Sequence, residues 1–165
     1  MNLCIFQVNL LKMHFLTFSL NFDRDAGLEE GRLCLRHLEK GTLQVWVATS
    51  ATARKQFPES FHQKGSMIPP EYRVLELKFW TVNTKPISMK EKKGVEGNFY
   101  QILPSEVKTD TGDVRDDFGI HKDANVPDSM GCIVLTPERF QGFEKEVTQL
   151  AKEGKDSIPL FVTYN

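Results

Sequence analysis

Gly119-Ile-His-Lys-Asp-Ala-Asn-Val-Pro-Asp-Ser-Met-Gly-Cys-Ile-Val-Leu135 sets an imidazole, His121, eleven residues before a thiol, Cys132. The thiol follows a glycine and opens an apolar run, Cys132-Ile-Val-Leu135, which reads as a strand. The imidazole closes a shorter apolar stretch, Phe118-Gly-Ile120. Between them Asn125, Pro127 and Asp128 mark a polar loop. Two strand ends joined by such a loop bring His121 and Cys132 together. A thiol becomes a strong nucleophile only as thiolate, and a neighbouring imidazole is the commonest means of forming one near neutral pH. The stretch therefore predicts a β-rich fold and a geometry for acyl transfer.

Working outward, one helix follows the thiol strand. Thr136 suits its N-cap, Pro137 the first turn and Glu138 the positive end of the dipole. Phe140, Phe143, Val147 and Leu150 recur at helical spacing on one apolar face, and Gly154 ends it. Residues 158–164 read as a last strand. Upstream, Leu16, Phe18, Leu20 and Phe22 alternate with Thr17, Ser19 and Asn21, the pattern of a half-buried strand. Asp23-Arg-Asp-Ala-Gly27 is a turn, and residues 32–38 and 42–49 read as a hairpin across Glu39-Lys-Gly41. Residues 49–73 read as a long loop. Residues 74–80 resume alternation, with Leu75, Leu77 and Phe79 on one face. Residues 83–97 read as an exposed polar excursion, 98–103 as a short strand and 108–113 as a turn.

A chain of 165 residues suits one domain, large enough to bury a core without disulfides or metal. A formal net charge of −1 gives no electrostatic footprint for nucleic acid or an anionic membrane. No apolar run approaches the roughly 20 residues of a membrane span. The N-terminal run, residues 1–12, has no basic n-region and no small-residue cleavage site, so it reads as structural rather than as an export signal. The three cysteines form no disulfide framework and no zinc pattern. Cys4 and Cys34 read as small buried hydrophobes, His37 and His62 as ordinary structural histidines, and Lys90-Glu-Lys-Lys93 as a solvated face. Gly131 has a reason to be glycine, because a substrate carbonyl must approach the backbone beside the nucleophile closely.

Ile120-His121, Ser129-Met-Gly-Cys-Ile-Val-Leu135 and Thr136-Pro-Glu-Arg-Phe140 together resemble the signature of the L,D-transpeptidase catalytic domain, the YkuD type. In that family a His follows an apolar strand and a Ser/Thr-x-Gly-Cys element carries the nucleophile. Lys64-Gly-Ser-Met-Ile-Pro-Pro-Glu-Tyr-Arg-Val74 resembles a segment that precedes the active site in short relatives. The resemblance spans roughly residues 42–165. It implies a mainly β fold, an L,D-transpeptidase-like β-sandwich with one principal helix after the catalytic strand. Residues 1–165 then form a single domain, with N-terminal strands in 1–41 and the catalytic part in 42–165.

The resemblance also implies roles. Cys132 attacks the carbonyl of a meso-diaminopimelate-containing tetrapeptide stem of peptidoglycan and forms a thioester. His121 takes the thiol proton, and its other ring nitrogen donates to a backbone carbonyl, most simply that of Lys122, with Asp123 as the side-chain alternative. Backbone N–H groups of Gly131 and Cys132 form an oxyanion hole. Ser129 and Tyr72, the latter beside Pro69-Pro70, line the substrate. No metal or cofactor is needed. An amine acceptor gives cross-linking and water gives trimming; a silent domain that binds the wall is the non-enzymatic alternative. Such a protein acts on the cell wall, which without an export signal points to a phage-encoded enzyme or a dedicated export system. The chain departs from the family in a shorter His-to-Cys loop, in Met130 and in Val134, where relatives often carry a polar residue.

Overall fold

The computed structural model describes residues 13–20, 31–50, 67–123 and 131–164. Cys4, His62, Ser129, Met130, the turn at 23–27 and the 1–12 run lie outside the described residues. Among the described residues the protein is mainly β with one α-helix. Its strands are β1 (His14–Leu20), β2 (Gly31–His37), β3 (Gly41–Ala48), β4 (Trp80–Asn83), β5 (Ile87–Met89), β6 (Gly97–Leu103), β7 (Glu106–Lys108), β8 (Val114–Asp116), β9 (Gly119–Lys122), β10 (Ile133–Leu135) and β11 (Ser157–Tyr164). The helix α1 spans Pro137–Lys152.

Alternation works as expected in β1 and β11. Leu16, Phe18 and Leu20 are buried on one face, as are Ile158, Leu160, Val162 and Tyr164 of the last strand. These two strands pair in parallel, Leu16 beside Leu160 and Leu20 beside Tyr164. The hairpin β2–β3 turns at residues 38–40 and re-enters at Gly41, whose φ of +75° favours glycine. In β3 the side carrying Trp46 and Ala48 faces inward, while Leu43 and Val45 stay exposed.

Nine strands form one sheet in the order β10-β9-β6-β4-β11-β1-β2-β3, with β5 added beside β6. Its two ends meet. Just beyond β3, the Thr49 N–H donates to Val134 O at 3.0 Å and the Val134 N–H donates to Thr49 O at 2.8 Å. The sheet therefore curls round toward a closed barrel, and among the described strands β7 and β8 form a separate two-stranded ribbon. The mainly β expectation holds, and a curved sheet of this kind buries its apolar face against itself. One sheet runs through both stretches named from the sequence, 1–41 and 42–165, whose boundary lies in the β2–β3 hairpin.

The helix covers the seam. Phe140, Phe143, Val147 and Leu150 are its buried residues. Phe143 meets Trp46 of β3 at 5.6 Å and Tyr100 of β6 at 5.2 Å between ring centroids, both edge-on. Thr136 occupies the N-cap position without a side-chain capping bond, and Gly154 leaves the helix at φ +84°.

Two expectations fail here. Residues 74–80 are not a strand: Glu76 adopts φ +62°, and the Leu75 N–H turns to Lys108 O at 2.8 Å. Alternation needs ladder partners on the same chain face, and a residue with positive φ breaks the ladder. β4 begins only at Trp80. The excursion at 83–97 contains β5, which pairs with β6 through Ser88 and Asn98.

Candidate active site

β9 and β10 are neighbours in parallel register, Ile120 beside Ile133 and His121 beside Val134. One step earlier Cys132 comes level with Gly119, two residues from His121. The sulfur meets the start of β9 through its backbone, the Gly119 N–H and the Asp117 carbonyl, so thiol and imidazole belong to neighbouring strands about two residues apart in register. The parallel pairing explains the intervening loop, because the chain must return the full length of β9 before entering β10.

His121 is buried, and its Nδ1 meets the Lys122 carbonyl oxygen at 2.8 Å. That is the carbonyl which the resemblance singled out, and it leaves Nε2 as the nitrogen turned elsewhere. The ring stacks on Phe99, with centroids 6.0 Å apart and planes 26° from parallel. Burial lowers the imidazole pKa below its usual 6.5, the Lys122 contact and the charge of Asp123 work the other way, and the charge of Lys92 lowers it further. His121 is thus neutral at neutral pH. Asp123 acts through its charge, while its N–H donates to Leu135 O at 2.7 Å.

Cys132 keeps part of its surface open to solvent, but its sulfur is enclosed, and burial pushes the thiol up to about 11. A backbone hydrogen bond from Gly119 and the charge of Lys92 oppose that rise, whereas Asp117 adds to it. The thiol points at the Asp117 carbonyl oxygen, 3.5 Å away. A raised thiol and a lowered imidazole are both favoured in their neutral forms. The physical reason is desolvation, which penalises both charged forms at once.

Gly131 holds φ +116°, open to glycine and strained for other residues. Its carbonyl accepts a hydrogen bond from Ser50 Oγ at 3.4 Å, and Ser50 Oγ in turn accepts the Ile68 N–H at 3.0 Å. Since a peptide is planar, fixing that carbonyl also fixes the direction of the Cys132 N–H. The segment from Met67 to Pro70 is held from several sides. Arg115 donates to Met67 O from two nitrogens at 3.2 Å, the Tyr164 hydroxyl donates to Ile68 O at 2.7 Å, and Trp80 Nε1 donates to Pro69 O at 3.2 Å.

The remaining expected residues are spread more widely. Lys122 lies at the end of β9, its side chain passing over Gly97. Tyr72 sits in a single 3-10 turn, Glu71–Arg73, and is 67% exposed. Ser129 lies outside the described residues. Val134 is buried, so its side chain does not offer a place for a substrate carboxylate.

Four residues escaped the sequence reading. Ser50 follows β3, Phe99 lies on β6, Asp117 precedes β9, and Lys92, read as a solvated lysine, lies within electrostatic reach of both His121 and Cys132. Only Gly119 carried a signal for one of them: a Cβ there would lie 2.1 Å from the Phe99 ring, and glycine inside an apolar strand marks such an approach. Cys34 is buried, and His37 accepts the Glu39 and Lys40 N–H groups on Nδ1, both in keeping with structural roles.

A cleft of about 620 Å³ lies elsewhere, between α1 and β6, lined by Asn98, Tyr100, Glu144 and Thr148 among others. It holds neither thiol nor imidazole, so chemistry rather than volume picks out the Cys132 site. Among the described residues no group of His, Cys, Asp and Glu is arranged to hold a metal ion, and no helix is long and apolar enough to cross a membrane. Compared with protein-family models, with curated proteins and with solved structures, the chain matches none of them.

Proposed function

We propose that this protein is an L,D-transpeptidase-type acyltransferase acting on peptidoglycan stem peptides through a thioester on Cys132. One observation carries the reading: the parallel register of β9 and β10 brings Cys132 level with Gly119, two residues from His121, whose Nδ1 is engaged by the Lys122 carbonyl. That contact fixes the tautomer with the proton on Nδ1 and leaves Nε2 as the acceptor for the thiol proton. The lowered imidazole pKa keeps this base unprotonated at neutral pH.

The steps follow from the neutral pair. As the sulfur attacks the carbonyl of the meso-diaminopimelate residue, Nε2 takes its proton, so a free thiolate need not accumulate. The Cys132 N–H, oriented by the Gly131–Ser50 contact, donates to the developing oxyanion. His121 returns the proton to the departing amine of the terminal D-amino acid. A second amine then takes the acyl group to form a cross-link, or water takes it to trim the stem. The workplace of such an enzyme is the cell wall.

One observation favours a second reading, a silent wall-binding domain: a thiol held near 11 is poorly ionised at rest. The two readings separate on purified muropeptides, with products weighed by mass spectrometry. Wild type should convert tetrapeptide stems, Cys132→Ala should not, and His121→Ala should be slower by roughly 10²–10⁴ for a lost general base. Equal product from wild type and Cys132→Ala would remove the thiol from the mechanism.

A further inference from the structure

Three successive carbonyls, those of Met67, Ile68 and Pro69, each accept a side-chain donor, but the donors differ in charge. Trp80 and Tyr164, both neutral, serve Pro69 O at 3.2 Å and Ile68 O at 2.7 Å. Met67 O instead takes two bonds from the Arg115 guanidinium, both at 3.2 Å. Arg115 is 2% exposed and lies over the Phe118 ring, 5.3 Å from its centroid. Burying a cation is costly, and a neutral donor would anchor a carbonyl as well. The charge therefore calls for a use beyond anchorage.

The three peptide units differ in one respect that supplies it. The carbonyls of Ile68 and Pro69 belong to peptides whose nitrogens are those of Pro69 and Pro70, which carry no hydrogen. The Met67 carbonyl shares its plane with the Ile68 N–H, which donates to Ser50 Oγ at 3.0 Å. Ser50, fully buried, donates in turn to Gly131 O at 3.4 Å, and that carbonyl shares its plane with the Cys132 N–H. Guanidinium, peptide, hydroxyl and peptide thus stand head to tail, with every donor pointing the same way. In such a row each bond polarises the next. The row starts at a fixed positive charge and ends at the amide beside the sulfur, where acyl transfer develops a negative one.

We propose that Arg115 is a positioning residue for the acyl-transfer site: it heads a hydrogen-bond relay through Ser50 that aims the Cys132 N–H and strengthens it as an oxyanion donor. The inference rests on the acyl-transfer reading and adds to it a residue that acts only through two peptide planes. One group competes. The Tyr164 hydroxyl also reaches Ser50 and, with its own proton given to Ile68 O, can only accept there.

The test uses the full chain as wild type, Ser50→Ala, Arg115→Met, the double variant, Arg115→Lys and Tyr164→Phe. The carbonyl-carbon resonance of Gly131 and the amide-proton resonance of Cys132, read by NMR, report the relay whether or not a stem is turned over. Beside them are measured kcat and KM on tetrapeptide stems and the rate of iodoacetamide labelling at Cys132. Ser50→Ala and Arg115→Met should each move both resonances upfield, and the double variant should move them no further than Ser50→Ala alone. Each should lower kcat about tenfold, less than the loss of a whole oxyanion donor. KM should hold, because the oxyanion exists only in the transition state. Labelling forms no oxyanion and should keep its rate. Arg115→Lys keeps the charge and should fall between wild type and Arg115→Met, whose place it takes in the cycle if Arg115→Met does not fold. Tyr164→Phe removes the competitor and should move the resonances the opposite way. Unmoved resonances or additive shifts overturn the proposal. So does a Tyr164→Phe shift in the same direction as Ser50→Ala, since loosened packing then explains them all. Stem turnover with an unchanged kcat in Ser50→Ala and Arg115→Met also overturns it and leaves acyl transfer standing. Non-additive shifts in a protein that turns over no stem uphold the relay and remove the acyl-transfer reading instead.

Discussion

The neutrality of the thiol is the sharpest quantity in this site. Moving a thiol from 9.0 to about 11 lowers its ionised fraction roughly a hundredfold at any pH below 9. At pH 7.5 the folded protein should hold about 0.03% of Cys132 as thiolate, against about 3% for an unperturbed thiol. The perturbation is pH and the assay is alkylation by iodoacetamide, a neutral reagent, followed at the Cys132 peptide from pH 6 to 10.5. The rate should climb tenfold per pH unit without a plateau, and unfolding in urea should raise it roughly a hundredfold at pH 7.5. The same shift reaches stability. An acid whose folded pKa is raised stabilises the fold fully below the unfolded value and loses that contribution as pH rises through the folded one. Wild type should therefore lose about 2–3 kcal/mol relative to Cys132→Ala between pH 9 and 11. A rate plateau across pH 6–8, the mark of a thiolate–imidazolium pair, would refute the reasoning, as would parallel stability curves for the two proteins.

Two further outcomes test the packing around the site. Gly119→Ala places a Cβ within 2.1–2.6 Å of the Phe99 ring that stacks on His121, so it should cost roughly 1–3 kcal/mol and slow turnover. Adding Phe99→Leu should recover part of the melting temperature, and strictly additive effects in the double-mutant cycle would show that the two residues do not meet. Val134→Arg buries an unpaired guanidinium where Val134 bridges Thr49 and His121; the domain should lose roughly 3–5 kcal/mol, and a melting temperature equal to wild type would place that side chain in solvent.

What could be read from the sequence was whatever repeats within a few residues. Phe140, Phe143, Val147 and Leu150 declare a helix face because the helical period is local, and Leu16, Phe18 and Leu20 declare a strand for the same reason. Alternation misled at Leu75, Leu77 and Phe79, since a strand also needs neighbours to bond and Glu76 turns out of the ladder. Closure was hidden because Thr49 and Val134 lie far apart in the chain. In the site, His121 and Cys132 stood out by residue type and spacing. Ser50 did not, since its contact with Gly131 crosses 81 positions. Asp117 and Lys92 were obscured for another reason. Charged residues on exposed turns are common, and only their placement beside a thiol gives them meaning.

The central position of β11 has a consequence for how the protein comes into being. Residues 157–164 follow every other described strand, yet they sit in the middle of the sheet between β1 and β4. Until they dock, β1, β2 and β3 have only the Thr49–Val134 bridge to join them to β4, β6, β9 and β10 among the described strands. The sheet that carries the thiol is thus completed by the last of its strands to be made. Sheets dominated by such long-range pairing fold slowly, in milliseconds to seconds. Throughout that interval Cys132 keeps the acidity of an open chain and is about a hundredfold more ionised than after folding. The sulfur is at its most vulnerable to oxidation before maturity, and burial shields it once the ring has shut.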